Sequence, residues 1–84
     1  MDLIYERYEQ HLIEHWVKSQ EATRLGVKTT VVCITMNNGF EVIGQSACVN
    51  PEQYDYELGV YYATKEALKR VADIVAYLEH EATF

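Results

Sequence analysis

Two runs rich in β-branched and apolar residues flank Asn37-Asn38-Gly39, and nothing else in the chain constrains its fold as tightly. The first is Thr29-Thr30-Val31-Val32-Cys33-Ile34-Thr35-Met36; the second is Phe40-Glu41-Val42-Ile43-Gly44-Gln45-Ser46-Ala47-Cys48-Val49. Branched side chains suit a pleated surface, and Asn and Gly accept positive φ at little cost, so the segment predicts an antiparallel hairpin. Two registers are open. A two-residue Asn38-Gly39 turn groups Val31, Cys33 and Thr35 with Phe40 and Val42. A three-residue turn with a bulge at Gly39 groups Val32, Ile34 and Met36 with Phe40, Val42 and Cys48. The second is preferred, because it leaves Thr29, Thr35, Glu41 and Gln45 outward.

Helical periodicity brackets the hairpin. From Asp2 to Leu25 a helix is expected, capped by Asp2, with Ile4, Tyr8, Leu12 and Trp16 on one stripe widened by Tyr5, Ile13 and Val17. Glu6, Arg7, Glu9, Gln10 and Glu14 fall opposite, and Gly26 stands where a C-terminal cap belongs. The tail from Ser19 to Thr23 is polar, which favours an earlier end. Asn50-Pro51 opens the second helical half, with Gln53 placed to close a capping box and a break expected around Tyr54-Asp55-Tyr56. Leu58, Tyr61, Tyr62, Leu68, Val71, Ala72, Val75 and Leu78 mark one face of a long last helix. Val60, Ala67, Ile74 and Tyr77 form a second apolar line beside it. The expected fold is a single α+β domain over residues 1–84, with a helix, an antiparallel two-stranded β-hairpin and a long C-terminal helix (αββα). A two-stranded ribbon leaves one face and two edges uncovered, so a homodimer is expected, seated on Val60, Ala67, Ile74 and Tyr77.

Charge and cysteine usage narrow the function classes. The chain has 84 residues, with 13 acidic against 7 basic and a formal charge of −6. Such a surface disfavours direct contact with nucleic acid or anionic membrane; it could instead meet a basic patch on a protein partner, while the ordinary role of such charge is to keep a protein soluble. Two cysteines without a Cys-x-x-Cys spacing, a start lacking signal-peptide character and short apolar runs point to a reducing cytosol.

Candidate chemistry is thin. His11 and His15, four apart beside Glu14, have zinc-compatible spacing but no further ligand in the local run, so an ordinary helix flank is the reading. Cys33 and Cys48 have no histidine nearby in sequence to activate a thiolate and read as packing residues, not as a disulfide. No Gly-rich phosphate loop is present, and Lys65, Lys69 and Arg70 form a ridge neutralised by Glu66 and Asp73. No catalytic residues, metal ligands or cofactor are assigned. The seven tyrosines matter more. Glu52, Tyr54, Asp55, Tyr56 and Glu57 form an acidic, tyrosine-rich segment and are the candidate partner-binding residues, with Tyr61 and Tyr62 read as core.

The stretch Lys28–Thr35, followed by Asn38-Gly39-Phe40-Glu41-Val42-Ile43-Gly44-Gln45-Ser46-Ala47-Cys48-Val49, resembles a family of small tailed-phage proteins, the phage gene product forty-nine/sixty-six family. The resemblance continues through Asn50-Pro51, Leu58-Gly59, Ala67-Leu68 and Tyr77-Leu78, covering about Lys28 to Leu78. It implies a phage gene expressed in the bacterial host cytoplasm and carries no catalytic motif. The amino-terminal helix lies outside it. By analogy with phage accessory proteins of this size, a class that includes anti-defence and anti-CRISPR proteins, the expected function is a stoichiometric protein-binding inhibitor of host machinery. The alternative is a structural or assembly module whose main act is homodimerisation.

Overall fold

The computed structural model describes the backbone of residues 2–82 and the side chains of residues 7–80. The readings made for the side chains of Asp2, Ile4, Tyr5 and Glu6 lie outside the described residues. The elements are helix α1 (Asp2–Trp16), strands β1 (Val17–Leu25), β2 (Thr29–Met36) and β3 (Glu41–Ala47), a 3-10 turn at Pro51–Gln53, and helix α2 (Tyr56–Ala82). The strands form one antiparallel sheet in the order β1-β2-β3. The fold is therefore α+β as expected, but with three strands, not a two-stranded hairpin.

The correction lies in the segment read as the second half of helix one. That helix stops at Trp16, and the next nine residues are an edge strand. Two donors from Asn37 help end it: the Asn37 backbone N–H donates to the Trp16 carbonyl at 2.9 Å, and its Nδ2 donates to the His15 carbonyl at 2.8 Å. The β2–β3 turn thus satisfies carbonyls that a continuing helix would have bonded internally. Gly26 does adopt positive φ, at 77°, but in the turn between β1 and β2 and not as a helix cap.

The hairpin takes the preferred register. Ile34 pairs with Val42, Val32 with Gly44 and Thr35 with Glu41. Gly39 has φ 91°, its N–H donates to the Met36 carbonyl at 2.9 Å, and the Met36 N–H donates to the Phe40 carbonyl at 2.7 Å. This is a three-residue loop with Gly at the position requiring positive φ. Thr30, Val32, Ile34, Met36 and Val42 consequently face the helices and are buried, while Thr29, Val31, Cys33, Thr35 and Ile43 lie on the opposite face. Phe40, grouped with that face in the sequence, is exposed at the turn end of the hairpin.

Helix α2 packs across β2 and β3 at backbone distance. A Cβ on Gly44 would stand 2.1 Å from the Ala63 carbonyl oxygen and 2.4 Å from the Ala67 nitrogen. A Cβ on Gly59 would stand 2.1 Å from Thr30 Oγ1. Two glycines therefore set how closely helix and sheet approach. The Ser46 hydroxyl donates to the Gly59 carbonyl at 2.8 Å, fixing the second contact. Ala63, Ala67, Leu68, Val71 and Val75 complete the core from the helix side, with Val60, Ala72 and Ile74 packed partly against it.

Helix α1 closes the core with Leu12, 1 % exposed, and half-buried Trp16. Glu9, read as facing solvent, is instead buried: its Oε1 accepts from Lys65 Nζ at 2.8 Å, and among the described residues its Oε2 has no partner. The Glu9 hydrogen bond holds the Lys65 ammonium above the ordinary lysine range, opposed by burial and reinforced by the Glu9 charge. A raised folded-state pKa contributes stability that is complete below the ordinary lysine value and lost as pH climbs through the raised one.

Gly44→Ala should lower unfolding free energy by about 2–4 kcal/mol in urea titration, because neither Ala63 nor Ala67 can retreat without moving the helix. Lys65→Met should cost about 3 kcal/mol by leaving a buried carboxylate unpaired. In the parent protein, stability measured from pH 8 upward should begin to fall above the ordinary lysine pKa of about 10.4, and in Lys65→Met that alkaline decline should shrink.

Candidate functional site

Because β3 ends at Ala47 and α2 begins at Tyr56, the connecting segment folds back over the end of the sheet. Asn50 starts the 3-10 turn, its Oδ1 accepting from the Glu52 N–H at 3.0 Å. Asp55 then caps α2: its Oδ1 accepts from the Leu58 N–H at 3.2 Å and its carbonyl from the Gly59 N–H at 2.9 Å. The break expected around Tyr54-Asp55-Tyr56 is present, and the cap is Asp55.

The fold-back encloses a cleft of about 300 Å³, lined by the sheet end (Lys28, Thr30, Ser46, Cys48) and by the start of the helical half (Gln53, Tyr54, Asp55, Leu58, Gly59, Tyr62). Several of its polar side chains are already engaged. Thr30 Oγ1 and Tyr54 Oη share a hydrogen bond of 2.7 Å. Ser46 serves the Gly59 carbonyl, and the Cys48 thiol donates to the Asn50 carbonyl at 3.2 Å.

The five residues read as a partner surface separate into two groups. Glu52 and Glu57 are exposed. Tyr54 is half-buried beneath the Arg24 guanidinium, 4.3 Å from its ring centre, and belongs to the fold. Tyr56 is 45 % exposed, and its hydroxyl reaches the Ala22 carbonyl of β1 at 3.3 Å. Asp55 is the helix cap. Tyr61 and Tyr62, read as core, are instead 51 % and 57 % exposed, with rings edge to face at 5.2 Å. Leu58 beside them is 53 % exposed. The apolar and aromatic surface thus continues from the segment onto α2 itself. No periodicity argument separates these residues from the core line; only the position of the sheet does.

The line assigned to a dimer seam is largely internal. Ala67 is fully buried against Gly44, Val60 and Ile74 pack partly against the core, and Tyr77 is exposed. A second chain seated on Ala67 would have to displace the sheet. His11 and His15 stack at 4.5 Å, and among the described residues no group of three or more metal-ligating side chains occurs. Both cysteines are free, and Cys33 lies on the outer sheet face, its thiol pKa raised by burial and then by Glu41 and Glu21. That shift disfavours a nucleophilic thiolate.

A family model described as the phage protein (N4 Gp49/phage Sf6 gene 66) family matches residues 8–83, and the chain belongs to that family. The match reaches well before Lys28, so β1 and most of α1, expected to lie outside the resemblance, fall inside it. No curated protein and no solved structure matches the chain. Among the described residues no helix is long and apolar enough to cross a membrane. The residues that carried the resemblance include those that set the scaffold: Gly39 in the turn, Gly44 and Ala67 at the helix contact, Ser46 and Gly59 at the cleft.

Removing one hydroxyl from the cleft wall tests that structural role. Ser46→Ala removes the side-chain donor that ties the Gly59 carbonyl to the sheet and should cost about 1 kcal/mol. Equilibrium denaturation checks this; a change near zero would mean that water replaces the hydroxyl.

Proposed function

We propose that this member of the phage family is a stoichiometric binder of a host protein, acting in the bacterial cytoplasm by covering a functional surface, with no catalytic step. The observation that carries the reading is the half-exposed cluster of Tyr56, Leu58, Tyr61 and Tyr62, between 45 % and 57 % exposed, beside Glu52, Asp55 and Glu57. Tyrosines offer large contact area for little lost rotamer freedom, and such residues dominate binding energy at interfaces. Here they stand on the first turns of a 27-residue helix, so little ordering remains to be done on binding.

The carboxylates select the partner's sign. A net charge of −6 with three acids around the aromatic cluster suits a basic patch, the kind of surface that host nucleic-acid machinery presents to phosphates. Inhibition by occupancy of such a patch is the mode that fits, and an anti-defence target, anti-CRISPR-like in effect, is within that class. A standard interface takes about 800 Å² from each partner.

Tagged protein should retain a host protein at equimolar ratio from phage-susceptible bacterial lysate. The double variant Tyr61→Ala/Tyr62→Ala, folded by circular dichroism, should weaken that complex by roughly 30-fold or more, the loss expected for interface aromatics. Recovery of the protein alone, or unchanged capture by the variant, would remove the reading.

A further inference from the structure

We infer that the cleft at the start of α2 is an anchor pocket, built to receive one large apolar or aromatic side chain from a partner segment that carries a basic residue beside it. The inference rests on the binder reading and names what that partner must present.

The interior of the cleft selects hydrocarbon. Thr30 and Tyr54 satisfy each other, Ser46 is spent on the Gly59 carbonyl, Cys48 on the Asn50 carbonyl, and Asp55 Oδ1 on the Leu58 N–H. A sugar or phosphate reaching those spent groups would lose hydration without gaining partners there, Lys28 and Gln53 standing elsewhere in the lining. Leu58 and the Tyr62 ring offer carbon, and both are more than half exposed in the isolated chain. The volume of about 300 Å³ is at the bottom of the ~300–1,000 Å³ range of small-ligand sites, which suits a single side chain.

The mouth selects charge. Asp55 belongs to the lining, and Glu52 and Glu57 bracket it in sequence, both exposed. The segment 52–57 contains three carboxylates and no cation, against Lys28 in the lining and Arg24 over the Tyr54 ring, so acids outnumber cations around the cleft. An arginine or lysine adjacent to the anchor would meet them, whereas an acidic neighbour would be repelled.

The test is an amide chemical-shift titration of the labelled protein with three blocked dipeptides: N-acetyl-Phe-Arg-amide, N-acetyl-Phe-Glu-amide and N-acetyl-Ala-Arg-amide. The first should shift the amides of Cys48, Leu58, Gly59 and Tyr62. The Ala peptide should bind about tenfold more weakly or worse, from the apolar area removed. The Glu peptide should bind about threefold more weakly, a surface-charge effect that added salt reduces. Leu58→Gln, which keeps the size of an exposed wall residue but removes its apolar character, should abolish the shifts, and Cys48→Phe, which fills the cleft, should do the same. No localised shift with the Phe-Arg peptide, or equal binding of the Ala peptide, would overturn the pocket. Equal binding of the Glu peptide would overturn the basic neighbour. Retention of the host protein by Leu58→Gln without any peptide binding would sink the pocket and leave the binder reading standing; peptide binding without any captured partner would do the reverse.

Discussion

The contact at Gly44 governs the rest of the molecule. With no side chain there, the backbone of α2 rests on the backbone of β3 at Ala63 and Ala67, and the helix lies flat on the sheet. The layers can then be thin, about 17 Å in the shortest dimension against 50 Å in the longest. Close approach also decides what the helix can bury. The sheet is met by the line through Val60, Ala63, Ala67 and Val71, while Leu68 and Val75 complete the core behind it. Tyr61 and Tyr62 are rotated away from both. A larger residue at position 44 would lift the helix and open the seam that shapes the cleft between Gly59 and Thr30.

Much of this architecture was legible in the sequence. The Asn37-Asn38-Gly39 turn, the register that buries Val32, Ile34 and Met36, and the break before the long helix follow from φ preferences and from segregation of apolar side chains, which are local properties. β1 was not legible, for a physical reason. Its residues Lys18 to Leu25 are all exposed, so neither face carries an apolar period. Lys, Gln, Glu and Ala are also good helix formers, and the strand is held by pairing with β2 and not by burial. Its polar, charged character suits an edge, where an apolar strand would invite aggregation. Gly26 compounded the ambiguity, since a helix cap and a tight turn make the same demand on φ.

The candidate site was half legible. Composition singled out the acidic tyrosine segment, and the structure assigns its members different work: Tyr54 to the fold, Asp55 to the helix cap, Glu52 and Glu57 to the surface. Tyr61 and Tyr62 share a helical period with true core residues, so only the sheet's position distinguishes them. The cleft was invisible because it joins Lys28 and Cys48 to Leu58 and Tyr62, which become neighbours only when the chain folds back after β3. Glu9 was missed likewise: its partner Lys65 lies 56 positions away.

The scaffold and the outward-facing aromatics draw largely on different residues. The positions through which family membership was first visible, such as Gly39, Gly44, Ser46 and Gly59, fix turn, packing distance and hydrogen bonding. Little of their chemistry is left for a partner. What faces outward is a set of half-exposed aromatics and carboxylates standing on or beside a helix whose position those glycines determine. Such residues can change without disturbing the core. Their energetic advantage is preorganisation: the helix is held by α1 and the sheet before any partner arrives, so a modest contact area need not also supply the free energy of ordering.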